Sequence, residues 1–209
     1  EPYFERGREL IAQGITGDTP QKHFEYYEQA GEGIPTPELL HLITDEAPEA
    51  IAFMQDLGMP YNAVYGVGTI PTVDPELMVD RIHVPGDEVV VGAGSGHVAL
   101  LKEEVDALGG DIRTLATAER LIFDSEEGVV GVRVDINGST VNFRARRAVV
   151  LASGGFDWNT DLARAYCPQQ LWELETGICL CAPTNTGDGM VMGMEVGADL
   201  ACLGGTIGV

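Results

Sequence analysis

Two glycine-rich turns in the C-terminal half carry the residue types best suited to holding a ligand. In Ala148-Val149-Val150-Leu151-Ala152-Ser153-Gly154-Gly155-Phe156-Asp157-Trp158-Asn159 a continuous apolar run reads as a strand buried on both faces, and it ends in Ser-Gly-Gly. Small residues there let the backbone pass close to a ligand at the carboxyl edge of a sheet, where α/β folds bind theirs. In Asn185-Thr186-Gly187-Asp188-Gly189 the chain opens a helix. Thr186 or Asp188 can cap it, and the free amides of its first turn form an anion site. A third turn, Gly92-Ala93-Gly94-Ser95-Gly96, follows an apolar strand over 88–91 and is close to the dinucleotide-binding fingerprint G-x-G-x-x-G. Gly92 and Gly94 fit that fingerprint, but His97 takes the third position, where its ring obstructs the approach of helix to strand. The acidic ribose ligand is also out of place, because Asp111 begins a strand instead of ending one. What remains is a loop whose amides suit an anion or a flat ligand.

The elements that must position these turns follow from caps and periodicity. Thr19-Pro20 and Thr36-Pro37 each join an N-cap to a proline at the first helical position. The second of these opens a helix over Thr36–Leu57 with Leu39, Leu40, Ile43, Ala47, Ala50, Ile51, Met54 and Leu57 on an apolar face, and Gly58 as its left-handed C-cap. Pro48 should kink or split it. Residues 59–91 read as an irregular, proline-rich binding loop, in which Tyr61, Tyr65, Arg81 and His83 either face a ligand or are solvated. A helix follows over His97–Leu108, then strands over Asp111–Leu115, Glu119–Asp124, Val129–Ile136 and Thr140–Arg144, with Asn137-Gly138 as a two-residue hairpin turn. Helices at 160–166 and Gly187–Val196 and a short strand near Leu200–Leu203 complete the pattern. The fold class is α/β, mixed α+β.

Composition narrows the functions open to such a fold. The 209 residues hold 12 Lys+Arg against 33 Asp+Glu, a formal charge of −21 that repels phosphate backbones and anionic headgroups. Nucleic acid is thereby a poor partner. With 44% hydrophobic and 22% charged residues the chain can build a core, and disorder is excluded for most of it. Its apolar runs fall well short of the ~20 residues of a membrane span. Cys167, Cys179, Cys181 and Cys202 match neither a zinc framework nor Cys-x-x-Cys; they read as free thiols, which points to the cytoplasm, and no metal is expected.

Taken together, Leu151-Ala152-Ser153-Gly154-Gly155-Phe156, Thr186-Gly187-Asp188-Gly189 and Gly197-Ala198-Asp199-Leu200 resemble the flavin-dependent fumarate reductase and 3-ketosteroid dehydrogenase family. The strand pair around Leu121–Asp124 and Gly128–Val132, and the Gly92–Gly96 loop as an internal loop before it, are similar to that family too. The resemblance covers about residues 88–203 and implies FAD as cofactor. It implies a partial Rossmann-like FAD-binding domain with inserted helices and a β-hairpin or meander. By the same analogy the main chain near Glu119 lies beside the adenine. Ser153, Gly154 and Gly155 pass the adenosine–diphosphate half, with Asn159 close behind in the same segment, and Thr186, Gly187 and Asp188 approach from the other side. The chemistry implied is hydride transfer next to a carbonyl or carboxylate, on a small unsaturated acid or a ketosteroid-like substrate. The sequence names no catalytic residue.

Within that family the chain divides into a helical segment (1–58), a glycine- and proline-rich region (59–96), and a part (97–209) holding a helix, a meander, the strand at the FAD edge and a terminal helix. The family's N-terminal dinucleotide turn and its C-terminal capping domain are expected outside this sequence, so the chain should bind FAD weakly by itself. The uncovered edges predict a homo-oligomer or a compensating rearrangement. Two other readings stay open here: a noncatalytic protein-interaction scaffold derived from the same fold, and a nucleotide-binding module built on Gly92–Gly96.

Overall fold

The two threonine–proline pairs begin helices as their chemistry dictates. In the computed structural model, which describes residues 9, 17–66, 70–85, 94–176, 179, 181–201 and 203, helix α1 spans Pro20–Ala30 and α2 spans Pro37–Asp56. Thr19 Oγ1 accepts from the Lys22 amide at 3.1 Å, whereas Thr36 caps α2 without a side-chain bond. The two helices pack together, with Phe24 stacked on His41 at 4.1 Å between ring centroids. The inward line of α2 is narrower than its sequence suggested. Leu40 and Thr44 are buried and Ala47, Ile51 and Met54 half-buried, but Leu39, Ile43 and Ala50 face outward with Leu42 and Phe53. This helix carries apolar residues on two stripes, and α1 covers one of them. Pro48 does not split it: packing on the inward stripe holds the turns on either side of the missing hydrogen bond.

Residues 59–91 are not wholly irregular. Strands β1 (Tyr61–Tyr65) and β2 (Ile82–Pro85) pair antiparallel, Val64 opposite His83 and Tyr65 opposite Ile82. A 3-10 turn over Pro75–Leu77 lies between them and packs on α1. Such a pair has no hairpin turn to announce it, and the intervening prolines mask the alternation. Helix α3 runs from Gly94 to Ala107, three residues earlier than predicted, and Gly109 follows it with φ +76°. The predicted strand over 88–91, with Gly92 and Ala93, lies outside the described residues, as does Cys202.

The chain divides into two compact units between Ile112 and Arg113. The second opens on an antiparallel meander of β3 (Ala116–Asp124), β4 (Gly128–Ile136) and β5 (Ser139–Arg144). Asn137 and Gly138, at φ +54° and +80°, form the expected tight turn between the last two. The strand predicted over Asp111–Leu115 is absent; Leu115 adopts φ +54°, which breaks an extended backbone just before β3. Nor does Ala148–Ala152 form the buried strand expected of it. Val150 is 84% exposed, and among the described residues no strand pairs with this run, so its backbone has no ladder to join. Helices α4 (Thr160–Tyr166), α5 (Leu171–Thr176) and α6 (Asp188–Glu195) follow, and residues 198–201 are not a strand. Phe156, Ala163, Cys167, Leu174 and Cys179 make the core beneath α4 and α5. Among the described residues no helix is long and apolar enough to cross a membrane.

Candidate functional site

The two glycine turns of the sequence lie side by side in the second unit, laced by hydrogen bonds. Asn159 is the N-cap of α4: its Oδ1 accepts from the amides of Asp161 (3.2 Å) and Leu162 (3.1 Å), as the sequence Trp-Asn-Thr-Asp permits. Its Nδ2 donates to the Thr186 carbonyl at 2.9 Å, so one side chain starts a helix and binds the neighbouring turn. The Gly187 amide donates to the Gly155 carbonyl (2.9 Å), and the Trp158 amide donates to the Asn185 carbonyl (3.0 Å). Asn185 Nδ2 donates to Asp157 Oδ2, and the Trp158 indole donates to the Cys181 carbonyl at 2.6 Å.

Close approach here depends on missing side chains. Gly154 sits at φ +79°, and a Cβ on it would overlap Asn185 Oδ1. A Cβ on Gly189 would overlap Ser153 Oγ, which accepts from the Gly189 amide at 3.1 Å. That bond corrects the expected capping of α6. Gly187 is its N-cap with φ +82°, and Thr186 Oγ1 donates to Asp188 Oδ1 (2.9 Å) instead of reaching an amide. A first-turn amide is served from the other segment by Ser153.

Between the turns lies a cleft of about 320 Å³, walled by Leu151–Gly154 on one side and by Gly189, Met190 and Gly193 of α6 on the other, with Ala198–Leu200 closing it. This is the low end of ligand-site volumes, room for a portion of a large cofactor. Its charge is acidic. Asp188 sits in the first turn of α6, where its carboxylate already complements the positive helix end. Asp199 lines the cleft and accepts from the Leu200 amide at 2.9 Å. Carboxylates of this kind can accept hydrogen bonds from hydroxyl groups.

Glu119 is the residue left over in a β-bulge. Ala118 pairs with Val134 and Arg120 with Arg133, so Glu119 has no partner across the ladder. Its carboxylate takes Arg133 Nε at 2.8 Å on an exposed face. The described cysteines, Cys167, Cys179 and Cys181, form no disulfide: burial, with the Asp157 carboxylate beside it as a second cause, raises Cys167, and burial, then Asp157, push Cys181 up to about 11. Among the described residues no cluster could hold a metal ion. In the first unit the polar candidates serve the fold. Arg81 makes two bonds to the Asp18 carboxylate (2.7 and 2.9 Å) and lies over Tyr26, His83 Nδ1 meets the Arg81 carbonyl at 2.9 Å, and Tyr61 Oη meets His97 Nε2 at 2.9 Å.

The family described as FAD binding domain matches residues 9–203. The chain belongs to that family. L-aspartate oxidase of Caulobacter vibrioides is 33% identical over 148 residues, covering 69% of this chain and 28% of that protein. The open conformation of a flavocytochrome c3 fumarate reductase superposes with a TM-score of 0.77 at 22% identity, over 93% of this chain and 32% of that one. A 3-ketosteroid-Δ4-(5α)-dehydrogenase from Rhodococcus jostii RHA1, in complex with 4-androstene-3,17-dione, gives 0.75 at 22% identity, over 94% and 44%. The chain thus spans about 28% to 44% of the length of these proteins. The mixed α/β architecture is that of the family, and FAD is its cofactor.

The residue types of the cleft suit a part of FAD: Gly154, Gly189 and Gly193 between the apolar side chains of Leu151, Met190 and Leu200, with Ser153 and Asp199 as acceptors. Of the residues singled out in the sequence, Ser153 and Gly154 line it; Gly155, Asn159, Thr186 and Gly187 lock the turns that form it. Among the wall residues not singled out as ligand-facing are Gly189, Gly193, Met190 and Asp199. The spacing Gly189-x-x-x-Gly193 on one helix face was the available signal for the first two.

Proposed function

We propose that this chain supplies the cofactor-holding turns of an FAD-dependent oxidoreductase acting on a C–C bond next to a carbonyl or carboxylate. The observation that carries the reading is the cleft formed where Ser153-Gly154 meets Gly189, within a chain matched almost end to end by the FAD binding domain family. The bound cofactor supplies hydride exchange at its flavin ring. The chain's own residues bind and orient. Ser153, Gly154 and Gly155 let backbone run along the adenosine–diphosphate half; Asp188 accepts from a sugar hydroxyl, and Thr186 and Gly187 hold its carboxylate there. Asn159 keeps both turns in register. The Glu119 bulge sets this residue outside the regular register of the ladder, which supports placing its main chain beside the edge of the adenine. The substrate class proposed is a small unsaturated acid or a ketosteroid, and the three described free thiols support a cytoplasmic setting. The uncovered run Ala148–Ala152 supports self-association.

Amide-resolved NMR of the chain during an FAD titration tests the cofactor reading. Shifts should concentrate at Glu119, Ser153–Gly155 and Gly187–Gly189. Shifts centred on Gly94–His97, or none at saturating FAD, would overturn it. The reaction class has its own readout: anaerobically reduced, FAD-loaded chain mixed with fumarate or a 3-ketosteroid enone. Reoxidation by fumarate or the enone faster than for free reduced FAD supports the C–C assignment; no acceleration by either removes it and leaves the cofactor reading intact.

A further inference from the structure

Asp157 is 8% exposed, a nearly buried carboxylate just behind the turn that lines the cleft. It accepts from Asn185 Nδ2, and the Cys181 thiol lies beside it. Asn185 in turn lies against Gly154, close enough that any side chain there would strike its Oδ1. An ionised carboxylate only accepts, whereas an asparagine amide has a donating end and an accepting end of almost the same shape. Asp157 therefore decides which way the Asn185 amide points: its NH2 must face the carboxylate, and its oxygen must face the Gly154 turn. The Asn185 backbone is fixed independently, through its carbonyl to the Trp158 amide, so only the side-chain orientation is left for Asp157 to set.

We infer that Asp157 is a positioning residue for the cofactor: through the orientation of Asn185 it sets the left-handed turn at Gly154 that walls the FAD cleft. The inference rests on the FAD reading of that cleft. Asp157 touches no ligand in this assignment. A leucine in its place removes the acceptor, lets the Asn185 amide turn over, and loosens the turn without altering any cleft-lining side chain. Exchange of the two residues preserves the bond with donor and acceptor reversed.

Asn185→Asp gives the sharpest test. It places two carboxylates within hydrogen-bonding distance, which hold one proton between them at low pH and repel when both ionise. The other titratable groups facing the pair are the Cys167 and Cys181 thiols, both raised by burial and therefore neutral between pH 5 and 8. The FAD titration is run on the parent chain, Asp157→Leu, Asn185→Asp and the double exchange D157N/N185D, with amide dispersion as the check that each variant is folded. Expected are a loss of FAD affinity of about tenfold in Asp157→Leu, and a loss in Asn185→Asp that is large at pH 8 and recovered toward pH 5, against a flatter parent. The double exchange restores affinity at pH 7.5. If the parent binds FAD at the cleft amides but the folded variants stay within about twofold of it at every pH, the positioning role is overturned and the cofactor reading stands. If Asp157→Leu does not fold, the pH profile of Asn185→Asp and the rescue decide in the same way. Failure of the parent to shift at the cleft amides would overturn both.

Discussion

At the scale of single residues the site is a matter of what is missing from side chains and which amide faces which acceptor. Gly189→Val forces a side chain into Ser153 Oγ and removes the first-turn bond of α6. FAD shifts at Ser153–Gly155 should vanish in the titration while the dispersion of β3–β5 persists. Asn159→Ala takes away a cap and a tie to the Thr186 carbonyl together. It should cost about 1–2 kcal/mol of stability, read from the denaturant midpoint. Ser153 and Gly154, which line the cleft, were legible in the sequence because a glycine-rich turn after an apolar run announces itself. Asp157 and Asn185 were visible as residues but not as a pair, since nothing in a linear order says that positions 28 apart share a hydrogen bond. Thr186 or Asp188 was read as the cap of α6, and only the folded turn reveals that Gly187 takes that place while the two side chains bond each other.

The elements follow the same division between local and distant causes. Caps and a type of turn set by two residues fixed α1, α2 and the β4–β5 hairpin where the sequence placed them. The β1–β2 pair was hidden because its register arises from contacts between segments without a shared turn, and Ala148–Ala152 was misread because its pattern describes a strand that has neighbours. Pro48 is the clearest tension between sequence and fold. A proline in the interior of α2 deprives Thr44, itself 1% exposed, of the amide its carbonyl would receive. Pro48→Ala restores that donor, and because packing has already absorbed part of the ~3 kcal/mol propensity penalty, the expected gain is about 1–2 kcal/mol. Chemical denaturation followed through Tyr26, Tyr27 and Tyr61 in the first unit would register it; an unchanged midpoint would mean that Pro48 costs the native helix nothing.

For the molecule as a whole, acidity and half-buried histidines set the response to solution conditions. Burial lowers His83 below its ordinary value of 6.5, opposed by its bond to the Arg81 carbonyl; burial and then the Arg81 charge lower His23. A base depressed in the folded state is protonated first in the unfolded one. Its contribution is complete above about pH 6.5 and is lost as pH falls through that value toward the folded pKa. His83→Gln should therefore flatten the fall in stability of the first unit between pH 6.5 and 5 relative to the parent, measured by denaturant midpoints across that range. The hydrogen bonds that join Asn159 to Thr186 and Trp158 to Asn185 have a consequence of another kind. Together with the Trp158 indole bond to the Cys181 carbonyl, they hold both ends of the exposed turn Ala182–Thr184, so that turn can grow without moving the cleft. Loop entropy rises by only about 0.6 kcal/mol per doubling of length. Descent with insertions is therefore cheap at this point of the chain, and a lineage can remodel what surrounds the cofactor turns while inheriting the turns unchanged.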